Sequence, residues 1–203
     1  SANGIRIYKF DSLRPTPLIS FAVRNLNCNC GIVLTASHNP PEYNGYKVYW
    51  KDGGQIVPPI DNKLTTEIER TKYTDINFKG DQKLVELLYE KIDKTYVNKS
   101  ISFTQSITPQ NDLKNLNIVF TSLHGSSYKL LPELLKKSGF NNLKLVDSQM
   151  NPDGEFTNVK SSNPEDSNSL SEAIDLAKRE NSDLVIGTDP DADRFGIAVR
   201  NFE

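Results

Sequence analysis

The sequence predicts an α/β fold whose strands pair mainly in parallel, and three features support that prediction. Short apolar runs typical of strands alternate with longer segments whose apolar residues recur at helical spacing. The run Ile32-Val33-Leu34 contains no polar residue, which is typical of a strand buried on both faces of a parallel or mixed sheet. Residues 73–80 are polar and lack periodicity, so we place a domain boundary in or near them.

Before that boundary the sequence predicts strands that alternate with helices. The first helix begins after Pro15, where Thr16 is suited to cap it and Pro17 is suited to its first turn. Its apolar face consists of Leu18, Phe21, Ala22 and Leu26. The predicted strands cover residues 4–10, 31–36 and 46–50, and a second helix covers residues 58–72.

After the boundary, a helix is predicted over residues 81–98. Its apolar residues recur at helical spacing, at Leu84, Leu87, Leu88, Ile92 and Tyr96. A polar stretch up to residue 115 leads into a second alternation of strands and helices, in which Gly139 is expected to end a helix. Strands are predicted at 117–121, 143–146, 183–188 and 195–199, and helices at 126–138 and 167–180.

Composition and charge narrow the range of functions. The chain has 203 residues, of which 36% are hydrophobic and 25% charged, a balance typical of soluble globular proteins. Its formal net charge of -2 provides no basic field for a nucleic acid, and no apolar run is long enough to span a membrane. Cys28 and Cys30 are too close for an unstrained disulfide, so we expect free thiols and a cytoplasmic location.

A serine follows the apolar strand at 31–36. Ser37 opens a loop rich in Asn, Pro and Gly, and ligand crevices in open α/β sheets lie beyond the carboxyl ends of strands. Lys47 lies on the strand that leaves this loop, opposite in phase to Tyr46 and Val48. An ammonium group facing the crevice can transfer protons as an acid or base if its surroundings lower its pKa.

Three aspartates follow the apolar strand at 183–188. Asp189, Asp191 and Asp193 alternate with small residues, so in an extended segment their carboxylates would point the same way. Converging carboxylates repel one another strongly unless a cation lies between them. Oxygen ligands of this kind suit Mg²⁺, Mn²⁺ or Ca²⁺, and the adjacent Arg194 suits a phosphate group.

Other uses of clustered aspartates are weighed against this one. An EF-hand requires glycine and glutamate at the places where this loop has Arg194 and Arg200, so it is excluded. A phosphatase that forms an aspartyl phosphate on Asp189 stays open, because carboxylates can act as nucleophiles. A non-catalytic module that binds a sugar phosphate or a metal is the other alternative.

These residues resemble the α-D-phosphohexomutase family, which includes phosphoglucomutases and phosphomannomutases. Residues 35–40 are similar to its phosphoserine signature, and residues 189–194 are similar to its metal-binding loop. Further similarity lies in residues 13–17, 123–125 and 159–165. The resemblance implies an α/β fold of two small three-layer domains with mixed, mainly parallel sheets, the first domain incomplete.

The resemblance also implies a role for each site residue. Ser37 would be phosphorylated, and its phosphate would bind Mg²⁺ together with Asp189, Asp191 and Asp193. Lys47 would act as general acid and base, His38 would assist near the phosphoserine, and Arg194 would contact phosphate. For His124, a structural hydrogen bond is as strong an expectation as a functional role.

The implied reaction moves a phosphoryl group between positions 1 and 6 of a hexose phosphate, through the phosphoserine and a bound glucose 1,6-bisphosphate. Family members have four domains, whereas this chain is expected to contain the C-terminal part of domain 1 (residues 1–75) and domain 2 (residues 76–203). Domains 3 and 4, which would complete the contacts to the sugar phosphate, are not expected in it. The fragment alone is therefore expected to be inactive as a mutase.

Overall fold

A computed structural model describes residues 1–107 and 115–201 and has an α/β architecture. Helices and strands alternate along most of the chain, as the sequence predicts. The strands are β1 Ile7–Phe10, β2 Cys30–Leu34, β3 Tyr46–Trp50, β4 Val85–Leu88, β5 Asn117–Thr121, β6 Asn142–Leu145, β7 Leu184–Thr188 and β8 Phe195–Val199. The helices are α1 Thr16–Asn25, α2 Ile60–Arg70, α3 Glu90–Ile107, α4 Leu130–Lys137 and α5 Ser171–Arg179.

The largest sheet in the described ranges has the strand order β6-β5-β7-β8. β5 pairs in parallel with both β6 and β7, while β8 is antiparallel to β7. Helix α5 packs against β5 and β7, and α4 packs against β6. The central residues Ile118, Val119 and Phe120 are buried, which explains why the middle of β5 is apolar.

The first part of the chain contains two smaller sheets. β1 pairs in parallel with β4 in the register Ile7↔Val85 to Phe10↔Leu88. The paired strands are therefore remote from each other in the sequence. β2 and β3 form an antiparallel pair in the register Cys30↔Trp50 to Leu34↔Tyr46. Parallel pairing therefore predominates among the strand pairs of the described residues, and the predicted α/β class with mixed, mainly parallel sheets is confirmed.

The helix predicted over residues 81–98 is wrong at its start. Residues 85–88 form β4, and the helix α3 begins only at Glu90. Leu84, Leu87 and Leu88 fit helical spacing, but the pairing partner that makes this segment a strand is β1, which no local pattern reveals. Helix α3 also continues to Ile107, into the stretch predicted to be polar and irregular; the rest of that stretch, residues 108–114, lies outside the described residues.

The prediction that β2 is buried on both faces is also wrong. Ile32 and Leu34 are 61% and 81% exposed, whereas Gly31 and Val33 point toward α1 and are partly buried. A Cβ on Gly31 would lie 2.5 Å from the Val23 side chain, so this glycine allows the helix to pack closely on the strand. The apolar run is thus a strand with one packed face rather than two.

Two helices begin at residues other than those predicted, and contacts near their first turns explain the differences. Thr16 is the first residue of α1 and not its cap, because Pro15 occupies the cap position and no side-chain capping bond forms. Helix α4 begins at Leu130 rather than at 126, since the preceding residues contact the loop after β7. Gly139 follows the C-cap residue of α4 with φ +100°, which confirms its predicted role.

One apolar cluster joins the two parts of the chain. It consists of Leu18, Phe21, Ala22, Leu88, Ile92, Val97 and Leu130, which come from α1, β4, α3 and the start of α4. A second apolar cluster lies where α5 packs on the four-stranded sheet, and it consists of Val119, Val146, Ala173 and Val185. In the described part of the chain, no helix combines the length and the apolar character needed to cross a bilayer.

Replacing Leu18 by alanine tests the cluster that joins the two parts. Leu18 is 0% exposed, so we expect Leu18→Ala to lower the free energy of unfolding by about 2–5 kcal/mol. The matched control is Leu34→Ala, which makes the same chemical change at an 81% exposed residue and is expected to cost under about 0.5 kcal/mol. Urea denaturation followed by circular dichroism measures both; equal losses would contradict the packing described above.

Candidate active site

The serine loop and the aspartate loop meet in the structure. Ser37 follows β2 and the aspartates follow β7, and these two segments come together although they are far apart in the sequence. The Ser37 hydroxyl donates to Asp189 Oδ2 at 2.9 Å and lies 3.3 Å from Asp191 Oδ1. The structure therefore brings the predicted nucleophile and the predicted metal ligands into one site.

Local hydrogen bonds hold Ser37 in a strained conformation. Its φ of 57° lies in the left-handed region that β-carbon-bearing residues rarely adopt, and its backbone N–H donates to Thr35 Oγ1 at 2.8 Å. The loop is closed at its base by a bond from the Thr35 N–H to the Gly45 carbonyl. A Cβ on Gly45 would lie 2.9 Å from the Thr35 carbonyl oxygen, so glycine is required for this closure.

Carboxylate oxygens of Asp189, Asp191 and Asp193 all lie within 4.8 Å of one another. They converge through a tight turn rather than through the extended segment that the alternation predicted. The Ala192 N–H donates to the Asp189 carbonyl, and Ala192 has φ 56°. Asp189 is 0% exposed and Asp191 5%, while the side chain of Asp193 is more open. An all-oxygen donor set of this size fits a hard divalent cation.

The two buried carboxylates differ in proton affinity. Burial, reinforced by the neighbouring Asp191, raises the pKa of Asp189 to about 6 despite hydrogen bonds from the Arg194 N–H and Ser37. Burial would also raise the pKa of Asp191, but the hydrogen bonds and charge of Lys47, with help from Asp189 and Thr16, bring it below its ordinary value. Asp191 is therefore the carboxylate that stays ionised most readily.

Lys47 and Arg194 supply positive charge to the site. The Lys47 ammonium donates to Asp191 Oδ2 at 2.7 Å and to Asp193 Oδ2 at 2.5 Å. Burial alone would lower the pKa of Lys47, but the two carboxylates outweigh it and the pKa is raised. The lowered pKa that base catalysis by Lys47 would require is therefore not found in this arrangement, in which its ammonium group pairs with Asp191 and Asp193.

Arg194 contacts both the serine and the acidic loop. Its Nη2 donates to Ser37 Oγ at 2.7 Å, and its Nε lies 3.6 Å from Asp189 Oδ2 and 3.7 Å from Asp193 Oδ1. Its backbone N–H donates to Asp189 Oδ1 at 3.0 Å, which fixes the turn from the aspartates into β8. A guanidinium group in this place can grip a phosphate carried on Ser37.

The segment after β5 contacts the aspartate loop and the end of β7 through hydrogen bonds and close backbone packing. The Ser126 N–H donates to the Pro190 carbonyl at 2.8 Å, and the Ser127 hydroxyl lies 2.6 Å from that of Thr188. A Cβ on Gly125 would lie 2.6 Å from Pro190 Cα, so the two loops approach each other backbone to backbone. Sequence reasoning did not identify this contact, because nothing local to Gly125 indicates its distant neighbour.

The histidines have different surroundings. His124 is buried with φ 62°, and its Nδ1 lies 2.8 Å from the Asn151 carbonyl, which is the structural hydrogen bond expected for it. The His38 carbonyl accepts a bond from the Ser162 hydroxyl at 2.8 Å, which ties the serine loop to the loop before α5. The His38 Nδ1 has no hydrogen-bond partner among the described residues, and its assisting role stays a prediction.

A cleft of about 500 Å³ opens beside Ser37 and is large enough for a small ligand. Arg14 lines this cleft and binds both Asp93 carboxylate oxygens at 2.9 Å, so its guanidinium group anchors the segment before α1 to α3. The cleft is lined by residues of the serine loop, the aspartate loop and the segments after β5 and β6, among them Thr35, Pro40, Gly125, Pro152 and Asp191.

The fold and the site together define an α/β chain that places a hydroxyl, an acidic oxygen cluster and a guanidinium group at one cleft, groups that suit a phosphate and a divalent cation. The model of the phosphoglucomutase/phosphomannomutase alpha/beta/alpha domain I matches residues 1–75, and that of alpha/beta/alpha domain II matches residues 94–202. The chain belongs to the phosphoglucomutase/phosphomannomutase family. These models also confirm the two three-layer domains expected from the sequence.

Curated relatives agree with this assignment. A phosphoglucomutase of Staphylococcus epidermidis is 41% identical over 208 residues, which cover 100% of this chain and 37% of the relative. A phosphoglucomutase of Staphylococcus aureus is 42% identical over 211 residues, which cover 97% of this chain and 36% of the relative. The chain thus spans little more than a third of the length of these relatives.

Solved structures share the fold. A phosphoglucomutase/phosphomannomutase family protein from Burkholderia thailandensis has a TM-score of 0.73 and 25% identity, covering 98% of this chain and 41% of that one. A structure from Thermus thermophilus has a TM-score of 0.78 and 25% identity, covering 97% of this chain and 42% of that one. Neither comparison favours the aspartyl-phosphate alternative.

The close approach of the two loops can be tested with Gly125→Ala. The new Cβ would meet the Pro190 backbone, which cannot rotate away, so we expect the free energy of unfolding to fall by about 1–3 kcal/mol. Gly154→Ala is the matched control, since its Cβ would meet nothing within 4 Å. Thermal and urea denaturation measure both variants; a Gly125→Ala protein as stable as the Gly154→Ala protein would contradict the described contact.

Proposed function

We propose that this chain is the part of a hexose-phosphate mutase that carries the phosphoserine and the metal-binding loop. The observation that carries the proposal is the position of Ser37 Oγ, 2.9 Å from Asp189 Oδ2 and 2.7 Å from Arg194 Nη2. A hydroxyl between an acidic cluster and a guanidinium group is suited to bear a phosphoryl group, because both a bound cation and the arginine would neutralise its charge.

Asp189, Asp191 and Asp193 are the residues that would hold Mg²⁺, together with an oxygen of the Ser37 phosphate. Their oxygens fit the ion by number and type, since Mg²⁺ in proteins prefers carboxylates and phosphate oxygens and retains water ligands. When bound, the ion supplies positive charge that neutralises the phosphoryl oxygens in the transition state.

Ser37 exchanges a phosphoryl group with a hexose phosphate in this proposal. Its Oγ–P bond breaks while a sugar hydroxyl loses its proton and forms a new O–P bond, which gives a hexose 1,6-bisphosphate and a protonated Ser37 hydroxyl. The reverse exchange at the other phosphate regenerates phosphoserine. Arg194 orients the phosphoryl oxygens through its fork of N–H donors. Lys47, linked to Ser37 through the Asp191 carboxylate, would act as general acid and base: it would give a proton to Ser37 Oγ as the Oγ–P bond breaks and take up the proton that the sugar hydroxyl loses.

The whole enzyme would interconvert hexose 1-phosphate and hexose 6-phosphate. We propose the domain division 1–75 and 76–203, supported by the two family models on either side of it, although β4 at Val85–Leu88 pairs with β1 of the first part. The relatives are longer than this chain, and we propose that the part of them that it does not cover includes domains 3 and 4, which would supply further contacts to the sugar phosphate. Hexose phosphates, Mg²⁺ and glucose 1,6-bisphosphate are the ligands of this proposal.

Phosphorylation of Ser37 tests the proposal directly. We expect the purified chain, incubated with Mg²⁺ and glucose 1,6-bisphosphate, to gain the mass of one phosphoryl group, because Ser37 lies against Arg194 and the acidic cluster. Intact mass spectrometry and peptide mapping measure the gain and its position. Ser37→Ala is expected to abolish it, while Ser102→Ala on the exposed side of α3 is expected to leave it unchanged.

The residue that carries the phosphate distinguishes the proposed mutase from the aspartyl-phosphate phosphatase. Phosphate on Asp189 instead of Ser37, lost in Asp189→Asn and retained in Ser37→Ala, would support the aspartyl-phosphate alternative. Absence of any phosphate in both the wild-type chain and a full-length relative treated alike would contradict phosphoserine chemistry altogether.

Mutase turnover by this chain alone is expected to be undetectable. The described residues provide one side of the site, and effective phosphoryl transfer requires both phosphates of the substrate to be held in place. A coupled assay that converts glucose 1-phosphate to glucose 6-phosphate measures turnover, with a full-length relative as the positive control. Robust conversion by the 203-residue chain would show that this expectation is wrong.

A further inference from the structure

Thr16 contacts the aspartate loop from the opposite part of the chain. It is the first residue of α1 and is 1% exposed. Its hydroxyl donates to Asp191 Oδ2 at 3.2 Å, and its backbone N–H donates to the Asp191 carbonyl at 2.8 Å, although the two residues are 175 positions apart in the sequence. One residue thus holds both the side chain and the main chain of Asp191.

The hydroxyl of Thr16 is not needed by its own helix. A threonine at a helix start commonly caps the helix by accepting a bond from a backbone N–H two or three residues later. In α1 the cap position is Pro15, no side-chain capping bond forms, and the following Pro17 has no N–H to offer. The hydroxyl is therefore available to the aspartate loop.

The contacts of Asp191 show what the hydroxyl does. Asp191 Oδ2 accepts bonds from Thr16 and from the Lys47 ammonium, while Oδ1 lies on the side of Ser37, 3.3 Å from its Oγ. Because Thr16 and Lys47 both act on Oδ2, they fix the rotation of the carboxylate and direct Oδ1 toward the site. A lysine on a flexible stem fixes a direction less well than a buried hydroxyl on a helix.

The helix start that carries Thr16 is itself anchored. Arg14 binds both oxygens of Asp93 at 2.9 Å, which ties the residues before α1 to α3. Leu18, two residues further along, is fully buried in the cluster that joins the two parts of the chain. Thr16 therefore stands on a fixed support, as a residue that orients another group requires.

We propose that Thr16 is a positioning residue that orients Asp191 for binding a divalent cation in the acidic cluster. This inference rests on the proposed function, because that function assigns the cluster to a metal ion. Partners that hydrogen-bond to metal-ligating side chains typically contribute about 10–100-fold to metal affinity. Loss of the Thr16 hydroxyl is expected to weaken cation binding while the three ligands remain in place.

The experiment measures Mn²⁺ binding to the complete chain by isothermal titration calorimetry and by the electron paramagnetic resonance signal of free Mn²⁺. Thr16→Val keeps the shape of the side chain and removes the hydroxyl, and it is expected to weaken binding by about 10-fold or more. Thr16→Ser restores the hydroxyl and is expected to bind as the wild type does. Thr95→Val is the control, since the Thr95 hydroxyl bonds only within α3, to the Lys91 carbonyl, and is exposed.

The outcomes separate this inference from the proposed function. If the wild type binds Mn²⁺ and Thr16→Val binds it equally well, the positioning role is wrong and the metal site stands. Equal weakening in Thr16→Ser and Thr16→Val would also contradict the role, because it would assign the loss to packing. A wild type that binds no Mn²⁺ overturns the proposed metal site and the inference with it. Should Thr16→Val fail to fold, the comparison of Thr16→Ala with Thr16→Ser decides.

Discussion

The mutual repulsion of three carboxylates is the constraint on which the site depends. Oxygens of Asp189, Asp191 and Asp193 lie within 4.8 Å of one another, and two unit charges 4 Å apart cost about 4 kcal/mol at an effective dielectric constant of about 20. Opposing charge and hydrogen bonds must therefore come from elsewhere in the chain. Lys47 on β3 and Thr16 on α1 both act on Asp191, and each belongs to a different element of the first part.

The two parts of the chain must be docked for these groups to reach the acidic cluster. The acidic cluster follows β7, while its partners Ser37 and Lys47 follow or lie on strands of the first part, so the complete site exists only when both parts are docked. The apolar cluster that contains Leu18, Leu88, Val97 and Leu130 supplies the packing that holds them together. Burial in the apolar cluster thus stabilises the docking of the two parts, and the docking brings positive charge and hydrogen-bond donors to the acidic cluster.

Features that depend on a short stretch of sequence were predicted well, whereas contacts between residues that are remote in the sequence were predicted poorly. Ser37 and the three aspartates stand in short strings whose chemistry is local, and the structure brings them together. By contrast, β4 is a strand only because β1 lies beside it, and a helical spacing of leucines hid that pairing. Thr16 and Gly125 were missed as site residues for the same reason, since their partners Asp191 and Pro190 are remote in the sequence.

The two cations of the site are not equivalent, and their contacts assign them different chemistry. The Lys47 ammonium binds Asp191 and Asp193, whose charge raises its pKa, so it keeps its proton until a stronger base forms nearby. Arg194 reaches Ser37 Oγ itself at 2.7 Å and stays within 4 Å of two carboxylates. A phosphoryl group on Ser37 would meet the guanidinium group first, because its planar fork matches phosphate oxygens and cannot lose its charge. In the proposed function Arg194 would therefore act on the phosphoryl group, and Lys47 on the carboxylates and the transferred proton. Exchanging the two residues would keep the net charge of the site and lose both sets of contacts.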